Sequence, residues 1–203
     1  MFIQIMKGKC SRPDDLRAMT DRWVRDLAPG ATGWLGGTFG LTEGGDSIAV
    51  VRFESREAAQ ANAARPEQGA WYAEMEQLFD GPIEFHDCDT VKLMLDGGSD
   101  DAGFVQVITG QIDDPSFLES TGTMEAMLHE ARPEIIGVTF AMESDGTFVE
   151  TVFFTDEAAA RAGEAQAMPT EGQAAESMRQ WQEHVHETSF MDLRQPWFAS
   201  AKA

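Results

Sequence analysis

Phe2-Ile3-Gln4-Ile5-Met6-Lys7-Gly8-Lys9 returns as Phe104-Val105-Gln106-Val107-Ile108-Thr109-Gly110-Gln111, about a hundred residues later. The register holds outward from there. Pro13 and Leu16 answer to Pro115 and Leu118, and Pro29 and Gly33 to Pro133 and Gly137. Arg52-Phe53-Glu54-Ser55, then Glu57-Ala58-Ala59, answers to Phe153-Phe154-Thr155-Asp156, then Glu157-Ala158-Ala159. Near each end, Phe85-His86-Asp87 answers to Phe190-Met191-Asp192. Copies of this length are too long for a solenoid unit and suit duplicated domains. The reading is a first repeat over 1–95, a polar glycine-bearing linker over 96–103, and a second repeat with a tail over 104–203.

Within repeat one, Phe2 to Lys9 is apolar on both parities and predicts a strand covered on both faces. Leu16, Met19, Trp23, Val24 and Leu27 form one helical stripe, which Pro29-Gly30 stops. Trp34 to Leu41 and Ser47 to Phe53 predict a hairpin around Gly44-Gly45. Ser55 opens a helix that Pro66 breaks; a second piece carries Trp71, Met75, Leu78 and Phe79, and Ile83 to Leu95 reads as a last strand. Repeat two runs the same course. Its first helix carries Leu118, Met124, Met127 and Leu128; its second is interrupted near Met168-Pro169, and Thr188 to Leu193 closes it. The fold class is therefore α+β: two tandem ferredoxin-like βαββαβ repeats. Each packs its helices on one sheet face, so the expectation is an intramolecular barrel in which the other faces cover each other.

The totals narrow the partners. Lys and Arg number 15 against 35 Asp and Glu, a formal net charge of −20. Such a field opposes nucleic-acid backbones and anionic membrane surfaces. No apolar run reaches signal-peptide or membrane-spanning length, and two cysteines make no disulfide framework, so a cytoplasmic monomer with an internal pseudo-dimer is expected. Cys10 and Cys88 could lie close together if their strands are antiparallel neighbours, but they lack the CxxC spacing of a functional pair.

Several side chains are candidates for chemistry. Trp71 can stack a planar ligand or simply anchor a core, and adjacent Tyr72 is the sole tyrosine, hence the sole phenolic donor. His86 lies between carboxylates in a strand and could act as a base or as packing; Asp87 alternates to the other face and cannot be its partner by adjacency. His184 and His186 could form a metal pair, but no third ligand stands at suitable spacing and a fraying helix end would splay them. His129 suits a helix end. Gly36-Gly37 and Gly40 match no nucleotide motif and predict a bulge or close backbone approach. No metal and no cofactor is expected.

The strand-helix-hairpin-helix-strand order, the junction Phe53-Glu54-Ser55-Arg56-Glu57-Ala58 and the aromatic-bearing second helix resemble the dimeric α+β barrel superfamily, and within it the antibiotic-biosynthesis-monooxygenase-like proteins. That resemblance implies cofactor-free oxygenation, isomerisation, haem degradation or simple ligand binding. Haem-degrading relatives use a first-strand asparagine with a tryptophan and a histidine on the second helix. Here the first strand carries Gln4, the helices carry Asn62 and Trp71-Tyr72, and no histidine is present there, which argues against haem degradation. Repeat one keeps Arg52, Asn62, Trp71, Tyr72 and His86 where repeat two has Phe153, Ala162, alanines and Met191, so a site is expected in repeat one. The expected roles are His86 and Tyr72 in proton transfer, with Trp71, Asn62, Arg52 and Gln4 binding substrate. The expected function is binding of a hydrophobic or aromatic small molecule; the alternative is a cofactor-independent monooxygenase or isomerase.

Overall fold

The recurring spacings fold into recurring elements. The computed structural model describes residues 1–120, 125, 128, 132–166 and 170–201, side chains at 117, 119, 120, 173 and 174 excepted. Repeat one forms β1 (Phe2–Lys9), α1 (Pro13–Asp26), β2 (Trp34–Leu41), β3 (Asp46–Phe53), α2 (Arg56–Ala63), α3 (Pro66–Met75) and β4 (Glu84–Cys88). A short β5 (Thr90–Met94) follows. Repeat two forms β6 (Phe104–Ile112), β7 (Ile135–Met142), β8 (Thr147–Phe154), α4 (Glu157–Glu164), α5 (Gly172–His184) and β9 (Val185–Leu193), with β10 (Trp197–Ser200) last. Leu118 sits in a 3₁₀ turn, Pro115–Ser120. The expected helix positions Met124, Met127 and His129, and the break at Met168-Pro169, lie outside the described residues.

Local chemistry explains the repeated boundaries. Pro13 occupies the first turn of α1 with Asp14 and Asp15, while Arg25 lies in the last, so charge complements the helix dipole at both ends. Ser55 caps α2 by accepting from the Ala58 N–H at 3.2 Å, and Asp156 caps α4 from Ala159 at 2.8 Å.

The chain divides into two units, residues 1–91 with 195–203, and residues 92–194. Unit 1 holds a sheet in the order β10-β2-β3-β1-β4, and unit 2 a sheet in the order β5-β7-β8-β6-β9. Units and repeats thus differ at two places. The span expected as one strand, Ile83 to Leu95, breaks at Asp89. Arg56 of α2 grips Asp89 through two bonds of 3.0 and 2.7 Å and Asp87 at 2.9 Å, marking where the chain leaves the first sheet. β5 then hydrogen-bonds beside β7. The second difference is the tail, which is a strand: β10 pairs antiparallel with β2, Trp197 opposite Phe39. Gly36 permits this approach. It has φ of +138°, and a Cβ there would stand 2.7 Å from the Ala199 carbonyl oxygen. The register shift between Trp34 and Gly36 is the expected bulge.

Strand alternation sorts the first sheet. Phe2, Gln4 and Met6 of β1 share the helix side with Phe53, Val51 and Ala49 of β3 and with Phe85 and Asp87 of β4. Ile3 and Ile5, fully buried, point the other way with Arg52, Val50 and His86. Cys10 and Cys88 are both buried and form no disulfide. Cys88 pairs with Ile3 while Cys10 follows the far end of β1, about 20 Å along the strand.

Candidate aromatic cavity

Between the helices and the first sheet lies a cavity of about 340 Å³. The sheet supplies its floor: Ala49 and Val51 at the centre, Gln4 and Met6 beside them, Phe39, Trp34 and Trp197 toward one edge and Phe85 toward the other. Small Ala49 leaves room where larger neighbours flank it. Helices α1, α2 and α3 supply the roof, including Trp23, Asn62, Trp71 and Tyr72. Adjacent positions on a helix lie about 100° apart, and Trp71 and Tyr72 both reach the cavity wall.

Hydrogen bonds hold the roof together. Trp71 Nε1 donates to the Met19 carbonyl at 3.0 Å, and Trp23 Nε1 to Gln68 Oε1 at 2.6 Å, tying α3 to α1. Arg65 donates to Asn62 Oδ1 at 2.9 Å and fixes that buried amide. Gln4 Nε2 donates to Asp87 Oδ1 at 2.9 Å, which orients the amide on the floor. Tyr72 packs against Phe85 with ring centroids 6.0 Å apart. Burial, then the charge of Glu76, raises its pKa above the ordinary phenol, so the hydroxyl stays protonated and can only donate or accept hydrogen bonds near neutral pH. Two further indoles on the wall, Trp34 and Trp197, have buried N–H groups without an acceptor among the described residues. A buried donor left unmade costs about 1–3 kcal/mol.

Of the residues singled out in the sequence, Gln4, Asn62, Trp71 and Tyr72 line one cavity. His86 and Arg52 do not. Register places His86 opposite Ile5 and Arg52 opposite Ile3, on the sheet face away from the helices. Parity within the strand, invisible without the pairing register, separates them from Gln4. The pair His184 and His186 is not splayed: both rings meet Asp113, at 2.9 and 3.1 Å, because β9 begins directly where α5 ends. Asp113 raises the pKa of His184 chiefly by that hydrogen bond. No cluster of three metal-binding side chains occurs among the described residues.

One titratable residue escaped the sequence reading. Glu150 of β8 is half-buried among apolar neighbours, and loss of hydration alone raises its carboxyl to about 7. In the strand Thr147 to Phe154 it reads as an ordinary polar residue. The available signal was the repeat alignment, which sets it against apolar Ala49.

No family model matches the sequence, and no curated protein matches it. Solved structures do match. A candidate monooxygenase from Lactobacillus acidophilus aligns over 99% of both chains at 11% identity, with a TM-score of 0.71. Another from Fusobacterium nucleatum aligns over 99% of this chain and 95% of its own at 10% identity, also with a TM-score of 0.71. An anthrone oxidase-like protein aligns over 100% and 94% at 12% identity, with a TM-score of 0.69. Among the described residues no helix is long and apolar enough to cross a membrane. The chain shares the fold of these solved structures, carried as two tandem ferredoxin-like α+β repeats in one polypeptide.

Proposed function

We propose that this protein binds a planar, hydrophobic aromatic molecule in the cavity of unit 1. The observation that carries the reading is the wall: four indoles and a phenol around about 340 Å³, with few polar groups. Small-molecule sites have this make-up, largely apolar with a handful of orienting donors. A ligand with a carbonyl or phenolic oxygen would also give Trp34 or Trp197 the acceptor that each lacks among the described residues.

A second reading, cofactor-independent monooxygenation, is favoured by Tyr72, the one titratable side chain on that wall among the described residues. No carboxylate or imidazole is placed there to remove a proton, so a substrate would have to supply an intrinsically acidic C–H. Tyr72 would then donate to the developing enolate oxygen. Oxidation of a methylene to a carbonyl by one O₂, with release of one water, balances without an external reductant.

Tryptophan quenching by tricyclic ketones and phenols, followed by oxygen uptake on any binder, separates the readings. Ala49→Phe, which fills the cavity, is expected to abolish binding; unchanged affinity would defeat the site. Uptake lost in Tyr72→Phe with binding retained would favour the oxygenase. His86→Ala is expected to leave both measurements unchanged, since that ring lies on the other face.

A further inference from the structure

The cavity of unit 1 is sealed on one side and open on the other. Its sealed side belongs to α1, β2 and β10, where Trp23, Trp34 and Phe39 are each 8% exposed and Trp197 is 9% exposed. Trp23 meets Trp34 edge-on with ring centroids 5.1 Å apart, and the Arg17 guanidinium lies 5.7 Å from the centre of the Trp197 ring. The exposed members of the lining come from the other elements: Ala63 of α2, Gly69 of α3 and Phe85 of β4. Phe85 stands on an outermost strand of the sheet, 46% exposed, with its ring against Tyr72.

Gly69 marks the same side. Glycine inside a helix costs about 1 kcal/mol relative to alanine. Neither a positive φ nor a close approach requires it here, because a Cβ at 69 would meet no atom within 4 Å. What a side chain there would take away is open space at the cavity rim, beside Tyr72 one turn further along the helix. Beneath the rim, the row of floor residues runs from the sealed side to the open one through Phe39, Ala49, Met6 and Phe85. Ala49 is the smallest of the four. From it to Phe85 is two strand spacings, about 10 Å, the length of three linearly fused rings.

We propose that Ala63, Gly69, Tyr72 and Phe85 frame the entrance to the cavity, and that linear fused-ring molecules enter it end-on along this row. The proposal rests on the reading that unit 1 binds a planar aromatic, and it narrows the ligand class. The leading ring lies over Ala49 among the indoles. The trailing ring reaches Tyr72 and Phe85 and carries any bulky substituent into solvent. A substituent on the central ring would instead run along the strands into Phe53 on one side or Met75 on the other, both buried. The class is therefore a linear polycycle substituted on a terminal ring.

The test uses the full chain and stopped-flow tryptophan quenching by acridone, a neutral linear tricycle, and by two derivatives with the same neutral glycol tail. One carries the tail on an end ring, the other on the central nitrogen; neutral probes keep the net charge of −20 out of the comparison. The end-ring derivative is expected to bind as acridone does, and the central one about tenfold more weakly, the cost of forcing extra atoms into a packed wall. Gly69→Phe should slow association about tenfold. Its urea midpoint should not fall, since α3 loses a glycine. Phe85→Ala should speed association and dissociation together, with less change in Kd than in either rate. The entrance is overturned if both variants keep wild-type rates while Ala49→Phe still abolishes binding. End-on entry is overturned if the central derivative binds as well as the end-ring one. Acridone failing to bind the wild-type chain at all would overturn the cavity reading itself, and this proposal with it.

Discussion

In unit 1 the row Trp197, Phe39, Ala49, Met6, Phe85 crosses the sheet beneath the helices, and in unit 2 the corresponding row reads Phe140, Glu150, Ile108, Phe190. Backbone register is the same in both. What differs is the central side chain, a methyl in one and a carboxyl in the other, and the row's edges. Duplication preserved the ladder while the helix-side surface diverged, so one copy leaves an aromatic-walled space and the other an acid in an apolar setting. The sheet is the conserved object, and the row across it is where the copies became chemically distinct.

The largest expected effect tests the shared part. Phe2 and Phe104 hold equivalent, fully covered positions, 2% and 0% exposed. Phe2→Ala and Phe104→Ala should each cost about 3–5 kcal/mol in urea unfolding. A large loss on one side only would break the equivalence of the two sheets.

The next effect tests the divergent part. Glu150 ionises at 4.5 when exposed and at about 7 in the fold. Between those values the folded chain holds the extra proton, so the folded state is favoured at low pH and loses stability as pH rises, levelling off above about 7. A shift of this size corresponds to roughly 3 kcal/mol. Urea melts at acid and alkaline pH should therefore show Glu150→Gln stabilising at pH above 7 and nearly neutral near 4.5. A difference independent of pH would mean the carboxyl is solvated.

Smaller still are the matched helix caps. Ser55→Ala and Asp156→Ala each remove one acceptor from a first-turn N–H and should cost about 1 kcal/mol. The smallest effect concerns the far end of β6, where unit 2 has Asp113 with two histidines and unit 1 has Ser11 bonded to Asp80 at 3.1 Å. Asp113→Asn should lower the His184 titration midpoint toward its ordinary value, read by NMR. An unmoved midpoint would show that the pair does not persist in solution.

The strands were the legible part. Trp34–Leu41 and Thr147–Phe154 can be bounded from sequence because bulky apolar runs end at glycine-bearing turns, and those limits match the structure. Part of the cavity wall was legible too, since Trp71, Tyr72 and Asn62 stand out as polar or aromatic departures between the repeats and Gln4 as a polar residue within an apolar strand. His86 and Arg52 were misplaced because facing depends on pairing register, a long-range property that a single strand does not encode. Trp197 was read as tail because nothing local announces which edge a four-residue strand will join. Glu150 was overlooked for a related reason: alternation marks a glutamate as solvent-facing, and only its alignment with Ala49 reveals otherwise.

The strand β10 also imposes an order in time. Residues 197–200 leave the ribosome only after all of unit 2 has been made, yet they pair with β2, whose residues were made near the start. Until then, β2 presents an unpaired row of amides and carbonyls, the kind of edge on which other chains template. Over the same interval the cavity lacks the indole of Trp197, which stacks on Phe39 with centroids 6.1 Å apart. Completion of the aromatic wall is thereby tied to synthesis of the whole second repeat, so a nascent chain halted within unit 2 presents the cavity without one of its sides.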